Sequence, residues 1–238
     1  IAHAKMLGQI GLLTAEETTS LVTALEEIIK EVEAGKFEIE DSFEDVHSKI
    51  EYLLTIKLGD AGKKIHTARS RNDQVLVDVH LYLKDVVKEL KEQVKVLFDL
   101  LMESADKHQN VLLPGYTHLQ IAMPSSFGMW FSAYAESLID DITMLNAALK
   151  IVNQNPLGSA AGYGSSFPIN RTFTTQELDF ETLKFNAVAA QMSRGKAEKT
   201  VAFAMSSVAA TLSKFSMDVC LYMSQNFDFI SLPAHLTT

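Results

Sequence analysis

Three stretches of this sequence hold more cations, hydroxyls, amides and glycines than a plain connection between helices needs. The first, Gly62-Lys-Lys-Ile-His-Thr-Ala-Arg-Ser-Arg-Asn-Asp73, packs four cations into an otherwise acidic chain. Guanidinium groups take carboxylates through paired hydrogen bonds, so this stretch suits a polyanionic small molecule. It also reads as a solvated basic loop, or as a helix N-terminus capped by Ser70 or Asn72. The second, Pro114-Gly-Tyr-Thr-His-Leu-Gln120, places His118 between the hydrogen-bonding side chains of Thr117 and Gln120. An imidazole titrates near neutrality and can serve as acid or base, although a lone histidine can equally be structural. The third, Asn155-Pro-Leu-Gly-Ser-Ala-Ala-Gly-Tyr-Gly-Ser-Ser166, resembles a phosphate cradle but lacks the Lys-Ser/Thr ending of a P-loop. It therefore reads as a loop that brings backbone into close packing, with phosphate binding as the alternative.

The remaining reactive residues carry less. His47 reads as a surface or helix-packing residue. His3, His80, His108 and His235 have no ligand-spaced partner, so no metal site is expected. The single Cys220 excludes an internal disulfide framework, fits a reducing compartment, and reads as a buried apolar residue.

These loops need rigid elements to position them, and the composition says which kind. With 21 basic and 30 acidic side chains the formal net charge is −9, which argues against a nucleic-acid partner. A hydrophobic fraction of 47% suits a folded globular chain, and no apolar run is long enough for a membrane span. Eleven Gly and five Pro are too few for the frequent turns of a sandwich or barrel. The prolines at 114, 124, 156, 168 and 233 leave residues 1–113 and 169–232 free to be helical. The segments 110–124 and 153–172 read as ordered loops between long helices.

Periodicity supplies the helices. Leu83, Val87, Leu90, Val94, Leu97 and Leu101 form one apolar stripe on a charged helix. Phe127, Phe131, Tyr134, Leu138, Leu145, Ala148 and Val152 form a second, with Asp141 as its polar intruder. Val201, Met205, Val208, Leu212, Phe215, Val219 and Tyr222 form a third, flanked by Ala and Ser nearly all round. A helix apolar or small on every side wants more neighbours than this chain provides, so association through helices is expected; a buried central helix of a monomer is the alternative. Ahead of these, Thr14-Ala-Glu-Glu17 has capping-box spacing, Gly35 ends that helix, and Asp45–Leu58 is another, closed by Gly59-Asp-Ala-Gly62. The expected class is all-α, a bundle of long helices.

The motifs also resemble those of a known family. His66-Thr-Ala-Arg-Ser-Arg-Asn-Asp-Gln74 is similar to the signature of argininosuccinate lyases, within the fumarase/aspartase superfamily. Gly115-Tyr-Thr-His-Leu-Gln120 resembles the second conserved region of that superfamily, shared with fumarases and adenylosuccinate lyases. The Asn155–Ser166 loop resembles the stretch that follows in argininosuccinate lyases. The similarity runs essentially end to end.

The resemblance implies a homotetramer whose central bundle is built from the long helices of four chains, with each active site shared between subunits. It implies a cytoplasmic enzyme of arginine biosynthesis that splits argininosuccinate reversibly into arginine and fumarate, with no metal or organic cofactor and no nucleic-acid or membrane partner. By the same resemblance His118 is the catalytic histidine, Ser70, Arg71, Asn72 and Thr117 hold substrate carboxylates, and Arg194 lies near substrate. The Met-Ser-Arg-Gly-Lys around Arg194 departs from the family's usual Ser-Asp-Arg-Asp. His47 follows Glu44-Asp45, as a histidine does in argininosuccinate lyases. On this footing residues 1–70 are part of an N-terminal helical domain and 71–238 a truncated central domain, with the C-terminal domain absent. The chain stops at Leu236-Thr-Thr238, where the family's flexible serine-bearing loop should begin. About half of a family member is covered, and the 238-residue chain by itself is expected to be inactive. Other readings are adenylosuccinate lyase, another fumarate-releasing lyase, a lyase-derived structural protein such as a lens crystallin, and a bare helical assembly module.

Overall fold

Short N-terminal helices lead into three long ones, and each begins where a cap or a turn allows it. The computed structural model describes residues 1–236; the expected serine-loop junction at Thr237 and Thr238 lies outside the described residues. In chain order the first elements are α1 (Ala2–Gln9), α2 (Ala15–Glu33), α3 (Val46–Leu58), α4 (Asp60–Lys63), a 3-10 turn at Lys64–His66 and α5 (Arg71–Lys107). Then follow β1 (Leu112–Thr117), β2 (Gln120–Ser126), α6 (Phe127–Val152) and β3 (Gln154–Asn155). The chain continues through α7 (Arg171–Glu177), β4 (Thr182–Leu183), α8 (Ala187–Met192) and α9 (Lys196–Tyr222). The structure is therefore predominantly helical, as the patterning requires.

The chain divides into two compact units, one built from Ile1–Leu81 with Asn153–Arg194, the other from Tyr82–Val152 with Gly195 onward. The first unit includes about three turns of α5.

In the first unit, the capping box before α2 is complete. Thr14 Oγ1 accepts from the Glu17 backbone N–H, and the Glu17 carboxylate accepts from that of Thr14. Asp45 caps α3 by accepting the Ser48 N–H. With those starts fixed, the apolar faces of α1, α2 and α3 bury Met6, Leu7, Leu13, Leu21, Leu54 and Ile65 in one core. Gly62 is needed there: a Cβ would lie 2.3 Å from the Leu54 carbonyl oxygen.

In the second unit, α6 and α9 pack against each other. The buried line on α6 runs Ala135, Leu138, Asp141, Leu145, Ala148 and Val152. On α9 it runs Ala197, Val201, Ala204 and Val208. Met205 and Leu212, expected in the α9 stripe, are exposed, because Ala197 and Ala204 take the contact line and let the helices approach closely. Asp141, the intruder, is buried and accepts the Ser207 hydroxyl at 2.6 Å.

The 110–124 stretch differs from the expected loop: it folds into an antiparallel hairpin. Pro114 stands opposite Pro124, and a bulge follows Gly115, whose missing Cβ would lie 2.9 Å from the Met123 carbonyl oxygen. Prolines lower the strand signal of a sequence, yet in a two-stranded ribbon every strand is an edge and can carry them. The 153–172 stretch opens with two residues of β3, paired in parallel with β4. No helix among the described residues is long and apolar enough to cross a membrane, and Cys220, expected buried, is exposed.

Candidate functional site

The cationic stretch is indeed a helix N-terminus, and Ser70 is its cap. The Ser70 carbonyl accepts the Gln74 N–H, its hydroxyl accepts the Asn72 N–H, and its own N–H donates to Asp73 Oδ1 at 2.9 Å. The other Asp73 oxygen accepts the backbone N–H groups of Gly158 and Ala160, both at 2.9 Å. Asp73 is wholly buried. The Gly/Ser loop is thus an anion cradle whose anion is a side chain of the same chain, which answers the phosphate alternative. The arrangement locks Ser70 to residues 158–160, while Gln191 donates to both the Ser159 hydroxyl and the Ala160 carbonyl.

Asp45, the cap of α3, and Glu51 within that helix present acids to these cations. The Arg71 guanidinium is surrounded: Nε lies 3.5 Å from Asp45 Oδ2 and Nη1 3.5 Å from Glu51 Oε1. Nη1 also donates to Gln74 Oε1 at 3.2 Å, and Nη2 reaches the Ser48 hydroxyl at 3.5 Å. Glu51 Oε1 is also 3.0 Å from His66 Nδ1 and 3.7 Å from Arg69 Nη2. Arg69 is the more deeply buried of the two arginines, with 9% of its side chain exposed, and its Nε finds no hydrogen-bond partner among the described residues. Burial pulls its pKa below the usual arginine value, opposed by the Glu51 and Asp73 carboxylates.

Arg69, Glu51, His47, Gln74, Asp78 and His3 line a cavity of about 180 Å³ in this unit. His47 is packed rather than superficial, and its Nε2 lies 3.3 Å from Asp78 Oδ2. Burial lowers the His47 pKa and the Asp78 carboxylate opposes that. His3 is buried with Nε2 2.9 Å from the Thr67 carbonyl oxygen. Burial, reinforced by the Arg69 charge, lowers its pKa to about 4. The neutral ring therefore donates Nε2–H to Thr67, one residue past His66.

Thr117 and His118 belong to the second unit, at the tip of the hairpin, where Thr117 pairs with Gln120. His118 and Leu119 are the two turn residues and both have left-handed backbones, φ +52° and +60°. Such turns fit the twist of a hairpin but normally carry Asn or Gly, so this one is strained. Both Thr117 and His118 are exposed. One residue before the tip the hairpin is anchored instead: the Tyr116 ring packs edge-on against Phe227 and near Phe229. Below it, Trp130 stacks on Phe215, while Trp130 Nε1 and the Tyr134 hydroxyl both donate to Asp218 Oδ2. Burial and that hydrogen bond raise the Tyr134 pKa, which keeps it a donor.

Ser70, Arg71 and Asn72 are thus brought together at one helix end in the first unit. Arg194 closes that unit, exposed in the turn before α9. Sequence reasoning passed over His3, Glu51 and Asp73. Asp73 was findable, since Ser70-Arg-Asn-Asp73 has the spacing of a capping box. Glu51 gave only a weak signal, four residues beyond His47 on the same helix face. His3 gave none, because its partner is a backbone carbonyl far along the chain. Among the described residues no cluster of three or more His, Cys, Asp or Glu could hold a metal ion.

A family model described as lyase matches residues 1–237. The chain is 58% identical over 238 residues to the argininosuccinate lyase of Parabacteroides distasonis, covering all of this chain and 53% of that protein. It is 57% identical, over the same shares, to the argininosuccinate lyase of Bacteroides fragilis. The chain therefore spans about half the length of the curated relatives it matches. A crystal structure of an EDDS lyase in complex with formate superimposes with a TM-score of 0.89 at 25% identity, covering 98% of this chain and 46% of that one.

Proposed function

As the chain belongs to this lyase family, we propose that the protein it comes from splits argininosuccinate reversibly into arginine and fumarate. The observation that carries this reading is the held Arg71. It lies in the stretch that resembles the argininosuccinate lyase signature, and its guanidinium is oriented by four side chains before any substrate arrives. Relatives named argininosuccinate lyase, 57–58% identical along the whole chain, support the same substrate.

The reaction removes a proton from the carbon beside a carboxylate, forms the fumarate double bond, and breaks the C–N bond to the guanidinium of arginine. The proton is weakly acidic, and its loss leaves a doubly charged aci-carboxylate. Cations and amide donors must stabilise that charge, and the departing nitrogen must be protonated. In this proposal Arg71, Asn72 and the Ser70 cap hold the substrate carboxylates at the positive end of α5, where the helix dipole adds to the cations. Thr117 holds carboxylate oxygen at the hairpin tip, His118 takes part in proton transfer, and Arg194 lies near substrate. No cofactor is required.

The same reading makes the protein a cytoplasmic homotetramer with active sites shared between subunits. The exposed Phe203, Met205, Leu212, Met217 and Leu221 on α9 support association through that helix. It also treats residues 1–70 as part of an N-terminal domain and 71–238 as part of the central one.

The test is fumarate release from argininosuccinate by the complete gene product, with adenylosuccinate and His118→Ala in parallel. Fumarate from argininosuccinate alone, lost in the variant, is the expected result. A folded tetramer that releases none refutes the proposal.

A further inference from the structure

We infer that Glu51 is a positioning residue, which acts on the reaction through Arg71 without touching substrate. This rests on the reading of Arg71 as a carboxylate binder and deepens it. A single oxygen, Glu51 Oε1, lies within 4 Å of side-chain nitrogens from three residues of the 66–71 stretch: His66 at 3.0 Å, Arg71 at 3.5 Å and Arg69 at 3.7 Å. Left alone, two guanidinium groups two residues apart repel each other, and the exposed one moves toward solvent. A carboxylate between them removes that repulsion and gives Arg71 one preferred position.

The neighbouring Asp45 cannot do this alone. Its Oδ1 is committed to the Ser48 N–H at the start of α3, so the carboxylate serves the helix first. Glu51 has no such duty: its Oε1 faces the two guanidinium groups and the His66 ring. It is partly exposed, and an exposed ion pair contributes little to stability. Its effect is therefore expected in charge placement rather than in the fold.

Two roles predict opposite signs. If Glu51 only reduced positive charge, removing it would tighten the binding of any dianion. If it positions Arg71, removal weakens binding although the site becomes more positive. The experiment measures fumarate affinity by calorimetry and argininosuccinate turnover in the complete gene product, for Glu51→Gln, Glu51→Asp, Arg71→Lys and the double variant Glu51→Gln/Arg71→Lys.

The expected result is about a tenfold loss of fumarate affinity in Glu51→Gln, a similar rise in KM, and a kcat within about threefold. Glu51→Asp, which keeps the charge on a shorter arm, recovers part of the loss. The double variant binds no more weakly than Arg71→Lys, because both act through one group. Unchanged or tighter fumarate binding in Glu51→Gln overturns the inference, as do effects that multiply in the double variant. If Glu51→Gln fails to fold by circular dichroism, Glu51→Asp decides: wild-type affinity overturns the inference. If the protein binds fumarate in a Glu51-dependent way yet releases none from argininosuccinate, the proposed function fails and the positioning role stands.

Discussion

The N-terminus of α5 holds residues proposed to bind carboxylates, the tip of the 112–126 hairpin holds the residue proposed to move a proton, and the two are built in opposite ways. At the helix end the key side chains are held by partners in their own unit. Ser70 caps, Asp73 gathers three backbone N–H groups, and Arg71 is held by four side chains. At the hairpin tip Thr117 and His118 are exposed, and the backbone itself is held in an uncommon conformation. A group that binds carboxylates gains from being fixed beforehand, since its orientation need not be paid for at binding. A group that moves a proton must instead reach the reacting atom, and exposure with a defined backbone lets it do so once another surface completes its surroundings.

The largest expected effect lies on the hairpin side. His118→Ala should lower kcat for fumarate release by about a hundredfold to ten-thousandfold, the range for a general acid or base, while leaving the fold intact because the ring is exposed. Equal losses of kcat and stability would place His118 with the helix end and erase the contrast.

Next comes the helix side, where structure and function are not separable. Asp73→Ala should leave three backbone donors without an acceptor and destabilise the chain by about 3 kcal/mol, read from the urea midpoint at constant slope. Asp73→Asn should cost less, since one oxygen can still accept. A loss under about 1 kcal/mol in Asp73→Ala would mean that water or relaxation replaces the cradle.

The helix side should also sense acid. The pKa of His3 is lowered in the folded state to about 4 from an ordinary 6.5, by burial first and by Arg69 second. Between those values the unfolded chain binds more protons than the folded one, so stability rises with pH across that window. The contribution is complete above about pH 6.5 and is lost as pH falls toward 4. His3→Gln can still donate to the Thr67 carbonyl but does not titrate. It should flatten the pH dependence of the urea midpoint between pH 6.5 and 5, and an unchanged slope would show that His3 is charged when folded.

What was legible beforehand follows the same division. The long helices declared themselves by period, and Thr14-to-Glu17 declared the cap of α2, because those signals are local. The cluster at Ser70, Arg71 and Asn72 was legible as a group because its members are neighbours in sequence. Glu51 and the Gly158 and Ala160 amides were not, since only folding brings α3 and the 155–166 loop to that helix end. The hairpin was hidden by Pro114 and Pro124, which mimic a loop unless their pairing is known. Its turn was hidden by His118-Leu119, because sequence signals for such turns rest on Asn and Gly.

That turn supplies the smallest and sharpest test. Leu119 has φ +60° and is 74% exposed, so its side chain contributes little by burial. A left-handed backbone costs a residue with a Cβ about 1–2 kcal/mol, and glycine escapes that cost. Glycine also gives the unfolded chain more freedom, which takes back about 0.5–1 kcal/mol. Leu119→Gly should therefore stabilise the protein by about 0.5–1 kcal/mol in urea unfolding. It should also lower kcat by a few fold, because the backbone that holds His118 becomes free to sample other conformations. Gain of stability with loss of turnover would show that the strain at the tip serves the reaction. Gain of stability with unchanged turnover would leave the strain without a catalytic purpose, and the hairpin would then owe its aim to Tyr116 and the aromatic rings beneath it.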